Sequence, residues 1–152
     1  METNEKNAEV LNDLIQINND RITGYEKAAN ETAAEDADLR TLFNDMADES
    51  RDYAAELKKY VTQNGESPAE GTTNSGKIYR VWMDVKAAIS GQSRKAILAS
   101  CEYGEDAAQK AYNSALEEDG LSSDVRSVIT EQKTKLRKSH DKIKLMRDTQ
   151  SA

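Results

Sequence analysis

Residues 97–116, ILASCEYGEDAAQKAYNSAL, place one carboxylate in the middle of an apolar helical stripe. At helical spacing, this stripe consists of Ile97, Leu98, Cys101, Glu105, Ala108, Tyr112 and Ala115. The glycine and alanines around it are small, so a neighbouring helix can approach closely. A carboxylate that faces a protein core must be ion-paired, hydrogen-bonded, metal-bound or protonated. The partner of Glu105 is therefore the main functional question that this sequence raises.

The composition of the 152-residue chain predicts one helical domain. The chain contains one proline and seven glycines, which are too few for a turn-rich β fold. Alanine, glutamate and lysine are common, and these residues favour helices. The length is sufficient for a single hydrophobic core. The single cysteine, Cys101, excludes an internal disulfide framework, and we expect it to be a buried structural thiol.

The charge and hydropathy of the chain exclude several classes of protein. A net charge of −7 counts against a general nucleic-acid binder, because such proteins are normally basic. No run of about 18 apolar residues occurs, so we expect no helix that spans a membrane. The first residues, METNEKNAEVLNDL, are acidic and polar, unlike a secretory signal. We therefore expect a cytoplasmic protein.

Apolar residues recur at helical spacing in five segments. The predicted helices span residues 4–34, 38–62, 77–90, 93–118 and 123–148. Residues 63–76, QNGESPAEGTTNSG, lack this period and predict a loop. In the short segment 77–90, Trp82 shares one face with the other apolar residues. We expect this side chain, the only tryptophan, to anchor the segment to the bundle.

The connections between the segments predict how the four long helices pair. The breaks at residues 35–37 and 119–122 are so short that each should join an antiparallel hairpin. Residues 38–43, DLRTLF, resemble residues 124–129, DVRSVI, which supports two equivalent hairpins. The join of roughly 30 residues between them can run the length of a bundle. The prediction is an all-α four-helix bundle of two antiparallel hairpins, with a short extra helix in the long crossover.

Four stretches of the chain resemble a known family. They are LNDLIQINNDRITGYEKAA (11–29), SGKIYRVWMDVKAAISG (75–91), CEYGEDAAQKAY (101–112) and SHDKIKLMRD (139–148). The sequence is similar to a bacterial ferritin-like family of four-helix-bundle proteins that is described only as a domain of unknown function. The resemblance implies the ferritin-like bundle fold and brings no established activity. Some members are loosely linked with stress responses.

The wider ferritin-like superfamily suggests where a metal could bind. Its usual site takes one Glu from each of two helices and a Glu-x-x-His motif from each of the other two. This chain departs from that pattern, because it has a single histidine and Arg137 replaces the glutamate three residues before His140. The remaining candidate ligands for iron or another divalent metal are Glu26, Glu102, Glu105 and His140, with Glu49 and Glu56 as substitutes.

Two interpretations of Glu105 and His140 stay open on sequence grounds. Both residues lie on the apolar faces of helices that form one hairpin, and helical rise places their levels roughly 7 Å apart. They could share a metal ion with Glu26, or they could form a buried hydrogen bond that a tyrosine joins. The basic last helix is also open to two interpretations, because it could bind an anionic partner or lie beside the acidic helices.

The complete bundle pattern and the incomplete metal motifs favour a non-catalytic helical-bundle protein. We expect it to act by assembly, as a homo-oligomer or with a protein partner, and without a cofactor. A link to stress follows from the resemblance alone. The alternative hypothesis is a ferritin-like protein that stores or oxidises iron or another divalent metal at a reduced carboxylate and histidine site.

Overall fold

The computed structural model describes residues 2–32, 36–71 and 94–149, without the side chains of residues 2–4 and 31. The helices in these ranges are α1 (Glu2–Glu31), α2 (Ala37–Gln63), α3 (Arg94–Leu116) and α4 (Ser123–Asp148). Their ends agree with the predictions to within three residues. These ranges contain no strand, and none of their helices is long and apolar enough to cross a membrane. The helix predicted at 77–90, with Trp82, lies outside the described residues.

The four helices form the two predicted hairpins, α1 with α2 and α3 with α4. Between the hairpins, α1 packs against α3, and α2 packs more loosely against α4. Asn7 at the start of α1 donates hydrogen bonds to Asn64 (3.2 Å), just after α2, and to Ser122 (3.3 Å), just before α4. The start of α1 therefore lies beside the end of α2 and the start of α4. Neighbouring helices are antiparallel, and α1 runs parallel to α4. The helices α1 and α4 lie diagonally across the bundle, and so do α2 and α3.

The turn between α3 and α4 is closed by residues that suit it. Gly120 has a φ of 85°, in the left-handed region that favours glycine. The Ser122 hydroxyl accepts a hydrogen bond from the Val125 amide at 3.4 Å and so caps α4. Arg126 donates to the Leu116 carbonyl at 2.8 Å, and this carbonyl would otherwise lack a partner at the end of α3. Contacts within the turn thus stabilise both the end of α3 and the start of α4.

The two ends of the crossover between the hairpins lie at opposite ends of the bundle. The helix α2 ends beside the start of α1, whereas Arg94 at the start of α3 pairs with Asp38 at the start of α2, at 2.9 Å. The described part of the crossover follows α1, because Asn12 and Asn19 hydrogen-bond the backbone of residues 67–71. The positions of the two ends agree with the long connection that the sequence predicts.

The buried apolar side chains form two clusters at opposite ends of the bundle. One cluster, near the α3–α4 turn, includes Leu11, Leu57 and Ile129. The other, near the start of α2 and α3, includes Phe43 and Ile143. Between the clusters, all four helices contribute buried polar side chains. Glu105, the carboxylate in the middle of the α3 stripe, lies among these polar side chains.

Candidate functional site

Glu105 is fully buried at the centre of the bundle, and its partner is Arg21 on α1. The Arg21 side chain is 1% exposed and the Glu105 side chain 0%. Arg21 Nη2 lies 2.6 Å from Glu105 Oε1, and Arg21 Nε lies 3.2 Å from Oε2. The Tyr25 hydroxyl also donates to Oε1, at 2.6 Å. Among the possibilities that the sequence leaves open, the structure therefore selects an ion pair supported by a hydrogen bond.

Arg21 reaches this position because it lies on the inward face of α1. It follows Asn18 by three residues and precedes Tyr25 by four, and all three are buried. Arg21 Nη1 donates to Ser50 Oγ at 2.7 Å, and Nη2 lies 3.2 Å from a Glu49 carboxylate oxygen. The guanidinium carbon lies 5.1 Å from the centre of the Tyr25 ring, within cation–π range. One side chain thus joins α1 to both α2 and α3.

A continuous chain of hydrogen bonds leads from this ion pair to the surface. Ser50 donates to Asn18 Oδ1 at 3.0 Å, and Asn18 donates to the Tyr112 hydroxyl at 2.8 Å. Tyr112 donates to Gln132 at 2.7 Å, and Gln132 donates to the Glu56 carboxylate at 2.8 Å. The buried members, which we call the polar layer, are Asn18, Arg21, Tyr25, Ser50, Glu105, Tyr112 and Gln132.

The electrostatics of the polar layer keep Arg21 charged and its tyrosines neutral. Burial lowers the pKa of Arg21, but the neighbouring Glu105, Tyr25 and Glu49 together outweigh burial and raise this pKa. Burial, together with the Glu105 carboxylate, raises the pKa of Tyr25 well above its ordinary value. Burial also raises the pKa of Tyr112. Both tyrosines therefore act as neutral hydrogen-bond donors at physiological pH.

Glu105 and His140, for which the sequence left a hydrogen bond or a shared metal open, have different partners in the structure. His140 Nε2 lies 2.5 Å from Asp106 Oδ1 on α3, and Nδ1 lies 3.1 Å from Asp141. A helix turns by about 100° per residue, so Asp106 faces α4 while Glu105 faces α1. Burial alone would lower the pKa of His140, but hydrogen bonds with Asp141 and Asp106 outweigh burial and raise this pKa. His140 therefore links α3 to α4 outside the polar layer.

The other candidate metal ligands also have separate partners. Glu26 is exposed and pairs with Arg51, and Glu102 pairs with Arg147 near the end of α4. In the three described ranges, no group of three His, Cys, Asp or Glu side chains is close enough to hold a metal ion. These residues therefore do not fit the carboxylate and histidine site that the superfamily pattern implies.

An open groove of about 340 Å³ lies beside the polar layer, where α2 and α4 pack loosely. Met46, Tyr53 and Ser139 line it. Glu49 also lines the groove, accepts a hydrogen bond from Ser139 at 2.9 Å and contacts Arg21 from the surface side. Because Arg21 is almost completely buried, the groove does not expose the central ion pair to solvent.

Of the polar layer, the apolar stripe in the sequence identified Glu105 and Tyr112 but not Arg21. Asn18, Ser50 and Gln132 also face inward in the structure. Arginine is rarely fully buried, so composition gives no reason to place Arg21 in a core. The available signal is its spacing from Asn18 and Tyr25, together with the need of Glu105 for a cation.

The comparisons with known proteins agree with this fold. The family described as "Domain of unknown function (DUF2383)" matches residues 6–118. The structure is similar to that of a Dps1 mutant from Mycobacterium smegmatis, with a TM-score of 0.82 and 17% identity over 96% of this chain and 97% of that one. No curated protein gives a significant match. The fold is therefore a ferritin-like four-helix bundle, and the chain belongs to the family described as Domain of unknown function (DUF2383).

Proposed function

We propose that this chain is a non-catalytic ferritin-like bundle protein that acts by assembly or by binding a protein partner. The observation that carries the proposal is the ion pair between Arg21 and Glu105. A guanidinium balances the charge of the central carboxylate, and Tyr25 completes its hydrogen bonding. The polar layer therefore has a structural role that requires no substrate or metal. On this proposal, the function depends on the surface of the protein and its contacts with other molecules.

The arrangement of the candidate ligands supports this proposal. A di-metal site in a helical bundle needs several carboxylates and imidazoles that point at a common centre. Here Arg21 contacts both oxygens of Glu105, and His140 has Asp106 beside one ring nitrogen. Binding a metal at this level would require Glu105 to leave Arg21, which would then keep only the more distant and partly exposed Glu49 as a counter-charge; such a loss is costly for a buried cation.

Metal analysis tests the proposal against the alternative of a ferritin-like metal protein. We would purify the untagged protein without chelator, incubate it with Fe²⁺, Mn²⁺ or Zn²⁺, remove free metal and measure the metal bound per chain by mass spectrometry. The proposal predicts far less than one ion per chain. The matched variants Glu105→Gln and Glu26→Gln remove a buried and an exposed candidate ligand. Stoichiometric metal that is lost only in Glu105→Gln would overturn the proposal and support metal storage or oxidation.

The proposal also includes a cytoplasmic location and a role under stress. The single cysteine is free and buried, which suits a reducing compartment. The stress role is motivated only by the family resemblance. Comparing growth of a deletion strain with its parent during starvation and oxidant exposure tests that role, and equal survival under all conditions would remove it from the proposal.

A further inference from the structure

The exposed side of α4 has an excess of positive charge, and three of its lysines, at positions 135, 138 and 142, also line the groove beside Asp45 and Glu49 of α2. We call Lys133, Lys135, Arg137, Lys138, Lys142 and Lys144 the basic ridge. All are exposed except Lys133, which is half-buried. Two of them have an acidic neighbour on α4 itself, at 3.3 Å for Lys135 and 3.1 Å for Arg137. The other four form no ion pair with any residue of the described ranges. The ridge spans about 17 Å along the helix.

An excess of negative charge lies where the start of α1 meets the end of α3. We call Glu9, Asp13, Glu118 and Asp119, all exposed, the acidic patch. Burial raises the pKa of Asp13, and the nearby charges of Glu9 and Glu118 raise it further. Lys6, which pairs with Glu118 at 2.9 Å, is the one cation found in contact with these carboxylates in the described structure. The patch is therefore incompletely neutralised.

The basic ridge and the acidic patch cannot meet within one chain. Glu9 and Asp13 lie on α1, which is diagonal to α4 in the bundle. Glu118 and Asp119 lie in the turn before α4, about 15 Å along the helix from the first ridge residue, Lys133. Exposed charges of opposite sign on opposite sides of one molecule are complementary between two copies. A contact of this kind uses a different surface on each partner, and it is therefore heterologous.

We infer that the basic ridge of one copy binds the acidic patch of a second copy. This inference rests on the proposed function, because it names the surfaces through which the protein assembles. Leu145, which is 65% exposed and follows Lys144, supplies an apolar side chain that the contact can bury. The net charge of −7 favours this occupant over a nucleic acid, which the chain as a whole would repel. Repetition of the contact produces a ring or an open filament.

Sedimentation velocity of the full chain, over a range of concentrations at low and high salt, measures this association. The ridge variant is Lys138→Glu/Lys142→Glu, and the patch variant is Glu9→Lys/Asp13→Lys. Matched controls with the same change in net charge are Lys58→Glu/Lys59→Glu and Glu66→Lys/Glu70→Lys. The control positions are exposed and lie outside both surfaces. Circular dichroism checks that each variant is folded.

We expect self-association at low salt that weakens at high salt, since exposed ion pairs are screened. The ridge and patch variants should each associate at least about tenfold more weakly, because attractive pairs become repulsive. The controls should behave like the wild type. An equimolar mixture of the ridge and patch variants should associate again, because each reversed surface then faces an opposite charge on the other variant.

Four results would overturn the inference. The first is a wild type that stays monomeric at every concentration and salt. The second is an oligomer whose association is unchanged by salt and by both charge reversals. The protein would then assemble, but through other surfaces. The third is a mixture of variants that fails to associate. The fourth is a wild type that binds a DNA duplex, together with a ridge variant that loses this binding but self-associates like the wild type. The ridge would then belong to another partner.

Discussion

Replacement of Arg21 by methionine tests the central ion pair directly. Methionine keeps an unbranched apolar side chain but leaves Glu105 buried without its cation. Removing one member of a buried ion pair typically costs about 3–5 kcal/mol. In a domain of this length, each kcal/mol lowers Tm by about 2–4 °C, so we expect a fall of roughly 6–20 °C. Thermal and urea unfolding, followed by far-UV circular dichroism, measure Tm and the free energy of unfolding.

Two further variants separate the ion pair from general effects of losing an arginine. Arg51→Met removes an exposed arginine that pairs with Glu26, and it should cost less than about 1 kcal/mol. Arg21→Met/Glu105→Leu removes both buried charges and should regain much of the stability lost in Arg21→Met, because apolar replacements of buried ion pairs are often neutral. A cost below about 1 kcal/mol for Arg21→Met, or a double variant less stable than it, would refute this reasoning.

Three other contacts lead to separate predictions. The raised pKa of His140 means that its pairing with Asp106 stabilises the fold fully below the ordinary histidine pKa of about 6.5 and is lost as pH rises through the folded value. His140→Gln should therefore lower Tm more at about pH 5.5 than at about pH 8.5, and equal losses at both would contradict this. Tyr112→Phe leaves Gln132 Oε1 without its donor and should cost about 1–3 kcal/mol in urea unfolding; a neutral effect would show that water replaces the hydroxyl. Asn7→Ala removes hydrogen bonds to the turns after α2 and before α4 and should cost about 1–2 kcal/mol. Amide exchange near residue 122 should rise in that variant, and unchanged exchange would count against the link.

The sequence by itself determined the four long helices and their pairing, because the signals for both are local. The range predicted for the last helix, 123–148, is the range of α4 in the structure. Its start follows from a turn glycine, Gly120, and a capping serine, Ser122, whose preferences depend on nearby backbone. The short break before α2 allows only a hairpin, and the long join before α3 allows a crossover. All seven residues of the α3 stripe are buried, as helical periodicity predicts.

Only the tertiary structure decided which side chain meets Glu105. Periodicity places a residue on a face, but the rotation and axial offset of two packed helices select the partner on the other helix. Arg21 is 84 residues from Glu105, and it reaches the carboxylate because the crossover brings α3 antiparallel to α1. The same geometry turns the neighbouring Asp106 toward His140. Consecutive residues of a helix point about 100° apart, so a small rotation of the helix changes which neighbouring helix a side chain faces. Periodicity correctly buries Glu105, but it cannot tell whether the partner is a histidine on α4 or an arginine on α1.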